Sequence, residues 1–362
     1  MSALLALPLV LGFPSPVPPD PLRAVVAPRV EKFLAAHKNA GVVVGVWKDG
    51  TPHVFGFGTV FLPTGERTPD GTTVFEIGSV TKALTGVLLA EAVRRGEVKL
   101  DAPAQNYLPP DLVLPKVGDA PITLEDLATH YSGLPAEPPF IGFTAKNGAN
   151  PYADYDRQKL ARMLAGLKPE HKPGEKHDYS NLGTGLVGHA LVHVAKADSF
   201  DALLRERLCK PLGLKDTGEA LTGEQRSRSA RGHEADGTPT PHWDFASLEA
   251  CGAVRSTAND MLRFAAAAVG DRETELLPAI RDSLKPRKKA LGPSEIGLFW
   301  LVTPTPGRPP DVWHNGSTFA HHAMLWLVPG AKTAVVVLSS VAADEVDEVA
   351  IDVAHLVLPK KK

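Results

Sequence analysis

The chain has 362 residues, of which 43% are hydrophobic and 22% charged, and its formal net charge is −2. This length and apolar content suit one large domain or two interleaved subdomains. The near-neutral charge argues against nucleic acid or an anionic membrane as the main partner. The two cysteines, Cys209 and Cys251, are too few for a disulfide scaffold and lack zinc-type spacing, which favours buried free thiols.

The N-terminal segment, MSALLALPLVLGFPSPVPPDP, joins an apolar stretch of signal-peptide size to a Pro-rich spacer. No Lys or Arg precedes Arg23 and no clear Ala-x-Ala cleavage site is present, so an atypical export signal and a disordered extension stay open as alternatives. The segment is too short and too interrupted by proline to span a bilayer. We assign 1–23 to this leader and 24–358 to a single domain.

In chain order, the predicted elements begin with a hairpin at 41–58, where two β-rich runs flank Asp49-Gly50. A buried helix is predicted within 75–97, and another at 123–133 opens with a threonine cap and stops at a glycine. Apolar spacing predicts further helices in RQKLARMLAGL, NLGTGLVGHALVHVAKA, FDALLRERLCKPLGL and TANDMLRFAAAAVG. The chain closes with a helical tail that follows three predicted antiparallel strands, 296–302, 322–329 and 332–340.

Strands at both ends of the chain with helices between them predict an α+β fold. We expect an antiparallel β-sheet flanked by helices, joined to an all-helical subdomain. The sheet subdomain would combine 24–98 with 290–358, and 99–289 would form the mainly helical subdomain.

Ser79 and Lys82 stand three residues apart at the head of a predicted helix, so their side chains share one face. Free N–H groups at a helix start favour a developing anion and disfavour a nearby ammonium, which would let Lys82 serve as a neutral base for Ser79. The alternative is a serine cap followed by a surface lysine, since about one Ser-x-x-Lys arises by chance in such a chain. The apolar residues that follow strengthen the first interpretation.

Tyr179 and Asn181 precede another apolar helix. A tyrosine hydroxyl can relay a proton, and an asparagine amide can hold a lysine and bind a substrate carbonyl. Taken alone, the pair is explained at least as well by a helix cap with a packing tyrosine.

His314, Asn315 and Gly316 are expected where a predicted strand begins. Glycine there lets a substrate backbone lie along the strand edge, and the N–H of Ser317 could join that of Ser79 in a two-donor oxyanion hole. His314 could give a substrate carboxylate a hydrogen bond, or a charge that fades above a pKa near 6.5. A polar turn is the alternative.

In order, Ser-x-x-Lys, Tyr-x-Asn and [Lys/His]-x-Gly resemble the motifs of the class C β-lactamase and serine DD-peptidase (penicillin-binding protein-like) family. The similarity runs from about residue 24 to residue 342 and includes segments outside the motifs: ITLEDLATHYSGLP, KPLGLKDT and GAVRSTANDMLRFAAA. YSN with HNG, together with NPYADY, looks more like the D-alanyl-D-alanine carboxypeptidase/endopeptidase branch than the β-lactamases, which usually carry Lys-Thr-Gly.

The resemblance implies a β-lactamase/transpeptidase-like fold with a cleft between the sheet and the helical subdomain. It implies that Ser79 forms an acyl-enzyme, with Lys82 and Tyr179 sharing general-base and general-acid roles. The N–H groups of Ser79 and Ser317 would hold the oxyanion. Asn181 would position Lys82 and also bind the substrate. The remaining implied substrate-binding residues are His314, Asn315, Gly316 and Ser317. The substrate would be a peptidoglycan peptide, a β-lactam or an ester. No cofactor or metal is implied, and a cell-wall role requires a periplasmic or secreted protein.

The sequence departs from the family pattern after Gly316, where Phe319 and Ala320 replace the usual glycines. Phe319 either narrows the cleft as an apolar wall or turns inward under the strand. The neighbouring His321 and His322 suggest a metal, but no third ligand has suitable spacing. Cys251 also replaces a small residue and lacks a base partner, so a cysteine nucleophile is not expected.

The leading hypothesis is therefore a serine hydrolase of D-Ala-D-Ala-type peptides. A β-lactamase or esterase with the same chemistry is the alternative. A non-catalytic peptidoglycan-binding relative is the third, less favoured because the main catalytic positions are all present.

Overall fold

The computed structural model describes residues 20–37, 39–116, 120–139, 141, 148–169 and 171–358. Most of the predicted leader, 1–19, lies outside these residues. The described chain opens on a helix that starts at Pro21, before the expected domain boundary, and the Asp20 carboxylate caps it by accepting from the Leu22 N–H at 2.9 Å. Within the described ranges, no helix has both the length and the apolar character needed to cross a membrane.

The strands form one large sheet and two short ribbons. In chain order they are β1 (Gly41–Lys48), β2 (Thr51–Gly58), β3 (Val60–Leu62), β4 (Gly65–Arg67), β5 (Val74–Glu76), β6 (Arg255–Thr257), β7 (Lys288–Lys289), β8 (Glu295–Ile296), β9 (Leu301–Thr305), β10 (Arg308–Ser317), β11 (His322–Val328) and β12 (Thr333–Ser339). The large sheet has the order β2-β1-β12-β11-β10-β9-β8-β7 with antiparallel neighbours throughout, while β3 pairs with β4 and β5 with β6. The antiparallel sheet assembled from the two ends of the chain is confirmed.

The helices cover both faces of this sheet and fill the middle of the chain. They are α1 (Pro21–Ala36), α2 (Val80–Arg94), α3 (Leu124–Ala128), α4 (Arg157–Gly166), α5 (Asn181–Ala195), α6 (Phe200–Leu204), α7 (Lys210–Leu212), α8 (Gly223–Ser227), α9 (Ala258–Ala268), α10 (Leu277–Leu284) and α11 (Glu345–Val357). A π-helical segment, Arg205–Cys209, joins α6 to α7. The assignment of 24–98 with 290–358 to one subdomain and of 99–289 to another stays a prediction.

Side-chain alternation along the strands divides the core into two layers. Val42, Val44 and Val46 of β1 pack with α1 and α11 on one face, whereas Val43 joins the larger core that contains α2 and α9. Because successive strand residues point to opposite faces, an all-apolar strand serves both layers. β12 is buried along its whole length for this reason. The larger core carries the elements that surround Ser79.

One predicted helix ends earlier than the sequence pattern indicated, and one predicted strand is interrupted. The helix expected over 123–133 is the short α3, because His130 takes a left-handed conformation (φ 60°) in which a helix cannot continue. The strand expected over 296–302 is broken between β8 and β9. Phe299 there is also left-handed (φ 66°), and its N–H bonds to the Ala128 carbonyl at 2.9 Å. Packing against α3 has overridden the β-propensity of this apolar run.

The third motif lies one strand earlier than predicted. His314, Asn315 and Gly316 belong to β10, not to the start of the strand that covers 322–329. In the antiparallel register, Gly316 pairs with Ala323 and Ser317 with His322. The sequence analysis missed β10 because the Pro-rich run before His314 hides its first half.

Candidate active site

Ser79, Lys82 and Tyr179 meet at the start of α2. The side-chain nitrogen Nζ of Lys82 lies 2.9 Å from Ser79 Oγ, and the Tyr179 hydroxyl donates to the same oxygen at 2.7 Å. Lys82 Nζ also lies 4.8 Å from the centre of the Tyr179 ring. The three side chains expected to carry the chemistry are thus in direct contact, although Tyr179 comes from a loop 100 residues away in the sequence.

Ser79 occupies the N-cap position of α2, but its side chain makes no capping hydrogen bond. The strand β5 leads into this position through Gly78, whose φ of 46° favours a residue without a side chain. The oxygen of Ser79 is therefore free for Lys82 and Tyr179. This geometry argues against the alternative of a serine cap beside a surface lysine.

Lys82 is fully buried, with 0% of its side chain surface exposed. Its second hydrogen bond goes to the backbone carbonyl of Cys251 at 2.7 Å. Burying an amine is costly unless it is hydrogen-bonded, and these two partners supply that compensation. Cys251 thus holds Lys82 through its main chain, while burial raises the pKa of its thiol to about 12 and leaves it a poor nucleophile.

The loop before α5 presents Tyr179 to Ser79. Ser180 caps α5 by accepting from the Gly183 N–H at 2.9 Å, and its own hydroxyl donates to the Pro135 carbonyl at 2.7 Å. The Ser180 N–H in turn donates to His130 Nδ1 at 3.2 Å. Both interpretations of this motif apply at once: Ser180 is the helix cap, and Tyr179 reaches Ser79.

His130 is a positioning residue that the sequence analysis missed. Its imidazole is buried and packs against the Tyr179 ring, with 4.6 Å between the ring centres. Burial holds the pKa of His130 well below 6.5, so the ring is neutral and accepts at Nδ1. The only available signal was its place in the segment THYSGLP, which looked like the end of a helix.

The strand β10 passes against the turn that carries Ser79. A Cβ atom on Gly316 would lie 2.6 Å from the Ser79 nitrogen, and one on Gly78 would lie 2.8 Å from the Ser317 nitrogen. Only glycine at both places allows this approach, since real Cβ atoms essentially never come within 3.0 Å of another heavy atom. The N–H groups of Ser79 and Ser317 are therefore neighbours, as a two-donor oxyanion hole requires.

His314 lies on the same face of β10 as Gly316 and is buried. Its Nδ1 lies 2.6 Å from the carbonyl of Asn315. Burial, with a smaller contribution from Lys82, lowers the pKa of His314 to about 3. Of the two roles expected for His314, a hydrogen bond or a positive charge, the low pKa leaves the hydrogen bond near neutral pH.

Asn315 does not line the cleft with its side chain, contrary to the sequence-based expectation. Its Nδ2 donates to Asp347 of α11 at 2.6 Å, on the opposite face of the sheet. The alternation of strand residues explains the error, because the neighbours of a cleft-facing residue must point away from the cleft. His322 contacts the same Asp347 at 2.8 Å and so points away from His321.

Asn181 lies beside Ser79, Lys82 and Tyr179, but its contacts differ from those expected. Its Nδ2 donates to Glu137 and, at 3.2 Å, to the Tyr152 hydroxyl, while the hydrogen bonds of Lys82 go to Ser79 and Cys251. The prediction that Asn181 holds Lys82 through a hydrogen bond is therefore wrong, because the Cys251 carbonyl takes that place.

Glu137 was missed by the sequence analysis. It accepts from the Tyr152 hydroxyl at 2.7 Å and from Asn181, and burial raises its pKa. Its second oxygen, Oε2, is buried without a partner among the described residues, and so is Asn181 Oδ1. Both oxygens are buried, so a substrate N–H would reach them only if the surrounding side chains moved.

Phe319 is 41% exposed, so it does not turn inward under the strand. Its ring meets Trp243 edge to face, with 4.8 Å between the ring centres, and Trp243 packs on Tyr152 at 5.2 Å. Tyr152 in turn contacts Asn181. Phe319 thus ends a row of aromatic side chains on the flank of the cleft, while Ala320 is buried.

The chain matches the family model described as Beta-lactamase over residues 26–358. It is 32% identical over 216 residues to the D-alanyl-D-alanine-carboxypeptidase/endopeptidase AmpH of Escherichia coli K12, a match that covers 60% of this chain and only about half (54%) of that relative. It is 27% identical over 325 residues to a β-lactamase of Pseudomonas fluorescens, covering 85% of this chain and 83% of that protein.

Among solved structures, the D-alanine carboxypeptidase AmpC of Burkholderia cenocepacia superposes with a TM-score of 0.78 at 26% identity, covering 92% of this chain and 98% of that one. The similarity thus extends over nearly the whole described chain, and the β-lactamase-like fold is confirmed.

Proposed function

The chain belongs to the Beta-lactamase family of serine hydrolases, and from this premise we propose that it is a D-Ala-D-Ala carboxypeptidase/endopeptidase acting on peptidoglycan peptides. The observation that carries the proposal is the contact of Ser79 Oγ with both Lys82 Nζ and the Tyr179 hydroxyl, at 2.9 and 2.7 Å. A serine needs such an adjacent base to become nucleophilic. The E. coli relative, named as a D-alanyl-D-alanine-carboxypeptidase/endopeptidase, supports D-Ala-D-Ala peptides as the substrate class.

In the proposed mechanism, Ser79 Oγ attacks the acyl carbonyl and its proton passes to Lys82. The oxygen of the tetrahedral intermediate lies between the N–H groups of Ser79 and Ser317. The Tyr179 hydroxyl, whose oxygen lies 2.7 Å from Ser79 Oγ, gives a proton to the leaving amine and is recharged from Lys82. Water then attacks the acyl-enzyme by the reverse proton path and releases Ser79.

We propose that the substrate lies between β10 and α5. In the described chain β10 pairs with β9 only as far as Trp313, which leaves the strand edge at Gly316 available to a peptide backbone. Phe319 and Trp243 form an apolar wall on this flank. These groups are suited to a peptide with an apolar side chain near the scissile bond.

The neutral state of His314 favours a second candidate, the hydrolysis of small esters. A carboxypeptidase binds the terminal carboxylate of its substrate, which a cation on the third motif would assist, yet burial lowers the pKa of His314 to about 3. Hydrolysis of an ester or of an internal peptide bond does not require the enzyme to bind a terminal carboxylate. β-Lactamase activity is the other alternative, and it is supported by relatives that are named β-lactamases, such as that of P. fluorescens.

Acylation by a fluorescent penicillin tests the chemistry. One label per chain is expected, on the peptide that contains Ser79, and none in Ser79→Ala. A matched control is Ser227→Ala, since this serine lies on α8 and its hydroxyl bonds only to the Glu224 carbonyl among the described contacts. Equal labelling of wild type and Ser79→Ala would disprove the assignment of the nucleophile.

Substrate class is tested by comparing turnover of a D-Ala-D-Ala pentapeptide, a cross-linked peptidoglycan dimer, nitrocefin and a p-nitrophenyl ester. The proposal expects D-alanine release or cleavage of the cross-link. Fast ester turnover without cleavage of either peptide would establish the esterase instead. Absence of turnover and of acylation would support the non-catalytic peptidoglycan-binding alternative.

We further propose a periplasmic or secreted location, because peptidoglycan peptides lie outside the cytoplasm. Fractionation of cells that express the full chain, followed by N-terminal sequencing, tests this. Recovery of the intact chain only from the cytoplasm would contradict it.

A further inference from the structure

A second cluster of reactive side chains lies beside the proposed active site: Glu76, His242 and His321. Glu76 ends β5, three residues before Ser79, and His321 lies in the turn after β10. His242 comes from the loop between α8 and α9. The Glu76 and His321 side chains are 3% and 0% exposed, whereas His242 is 37% exposed. Spacing along the sequence gave no hint that these residues meet.

Both imidazoles present Nδ1 to the same carboxylate. His321 Nδ1 lies 3.2 Å from Glu76 Oε2, and His242 Nδ1 lies 3.3 Å from Glu76 Oε1. The two rings are nearly parallel, with 5.6 Å between their centres and an interplanar angle of 6°. One donor atom from each residue lies within 4.8 Å of the other two.

Within the trio itself, a neutral His321 ring has no hydrogen to give to Glu76. His321 Nε2 lies 3.2 Å from the carbonyl of Ala230, which only accepts, so this nitrogen carries the hydrogen of a neutral ring. The lone pair on Nδ1 then faces a carboxylate oxygen, which also only accepts. His242 Nδ1 is likewise buried without a hydrogen-bond partner. A cation between these atoms would satisfy both nitrogens.

We propose that Glu76, His242 and His321 bind one divalent transition-metal ion, with Zn²⁺ as the best fit. Two imidazole nitrogens and one carboxylate oxygen are a favoured zinc donor set. Bonds of about 2.0–2.2 Å in a tetrahedron place donors about 3.3–3.5 Å apart. The distances of 3.2 and 3.3 Å are of this size, but they go to different oxygens of Glu76, Oε2 for His321 and Oε1 for His242. Because one donor atom from each residue lies within 4.8 Å of the other two, the half-exposed loop residue His242 would move by about 1 Å to complete the set.

The surroundings hold these ligands in place. Glu76 also accepts from the Thr318 hydroxyl at 2.8 Å and from the Trp243 N–H at 2.7 Å, and the Ala230 carbonyl fixes the orientation of His321. Such outer contacts are typical of zinc ligands. The Arg255 guanidinium lies 3.7 Å from Glu76 Oε1 and opposes a second positive charge, but its nitrogens are engaged with the carbonyls of Glu219 and Trp243.

The ligand His242 also helps to line a cavity of about 750 Å³, together with Arg255. A water molecule or an anionic group can therefore reach the ion. The ion would also link the segment before Ser79 to the turn after Ser317. These two segments carry the N–H groups discussed above, so bound metal would hold them together.

Metal titration of the full chain, freed of any polyhistidine tag and treated with EDTA, tests the proposal. We expect one Zn²⁺ per chain by calorimetry, a rise in melting temperature, and the visible absorption of tetrahedral Co²⁺ when cobalt is used. His242→Gln should weaken binding by at least about 10-fold, because a direct ligand matters no less than an outer-shell group. Circular dichroism checks that this variant is folded. We expect it to fold because the side chain of His242 is half-exposed.

His193→Gln is the matched control, because this histidine lies on α5 away from the cluster and should leave binding unchanged. Binding that does not saturate, or equal affinity of wild type and His242→Gln, would overturn the proposal. The cluster would then be an ion pair of Glu76 with a doubly protonated imidazole. The outcome is independent of penicillin labelling, so the two proposals can fail separately.

Discussion

A single methyl group at Gly316 would disturb the proposed oxyanion site. In Gly316→Ala, the added Cβ would lie 2.6 Å from the Ser79 nitrogen and 2.7 Å from that of Val80, where ordinary contact begins at 3.4 Å. The obstructing atoms are backbone, so no side-chain rotation relieves the clash. The nearest obstructing atom is the Ile77 carbonyl oxygen at 2.2 Å, so β10 and the segment that leads into α2 must separate by about 1.2 Å, the difference between 2.2 and 3.4 Å.

This displacement moves the N–H of Ser317 relative to that of Ser79. Loss of one oxyanion donor lowers kcat by about 100- to 1,000-fold, and a misplacement of about 1 Å costs about 100-fold. We therefore expect the rate of acylation by penicillin to fall about 100-fold. Overpacking should also reduce the free energy of unfolding by about 1–3 kcal/mol.

The measurement is single-turnover acylation with a saturating fluorescent penicillin, with urea denaturation of the same preparations. Gly223→Ala is the matched control, because the added methyl at the first residue of α8 would meet nothing within 4 Å. That variant should acylate at the wild-type rate. A folded Gly316→Ala protein that also acylates at the wild-type rate would refute the assignment of the oxyanion site.

Three further predictions concern the cleft and its pH dependence. Tyr179→Phe should slow acylation about 100- to 10,000-fold with little change in melting temperature, because it removes only the hydroxyl that contacts Ser79; a wild-type rate would contradict this. Burial raises the pKa of Glu137, so the folded chain loses stability relative to the unfolded one as pH rises above about 4.5. Glu137→Gln should therefore gain stability over wild type at pH 7 but not at pH 4, as urea denaturation at both values would show. Burial lowers the pKa of His314 to about 3 and that of His189 to about 4. Between about pH 6.5 and these values, each histidine binds a proton in the unfolded chain but not in the folded one. As pH falls through this range, each residue therefore lowers the free energy of unfolding by at most about 1.4 kcal/mol per pH unit. His189→Gln should flatten this slope, and an unchanged slope would contradict the argument.

Interactions between neighbours along the chain were predictable from the sequence. Ser79 and Lys82 share a helix face because of their three-residue spacing, and they are in contact in the structure. The hairpin at Asp49-Gly50 and the threonine cap of α3 were also predictable, since local backbone preferences determine both. The order of the three motifs then indicated the family, which the match over 26–358 confirms.

The orientation of single side chains on a strand was harder to predict. The motif around His314 was found, but the strand β10 that carries it was not predicted. Which residues of the motif face the cleft and which face away was therefore not predictable. Alternation along β10 turns Asn315 toward Asp347 and leaves Gly316 against Ser79. Burial likewise decides between the two roles left open for His314, because it lowers the pKa and so disfavours the charged form, and burial is a property of the folded state.

Groups that lie far apart in the chain were decided by tertiary structure alone. The Cys251 carbonyl, not Asn181, takes the second hydrogen bond of Lys82, and no motif includes a main-chain oxygen. Glu137 joins Asn181, and Glu76 meets His321, only because the sheet and the helices bring their loops to the same cleft. The sequence alone therefore determined the contact of Ser79 with Lys82, the proposed nucleophile and base, since that contact depends on helix spacing. Tertiary packing decided the surroundings that would select a substrate or bind an ion, since their contacts span more than 40 residues of the chain.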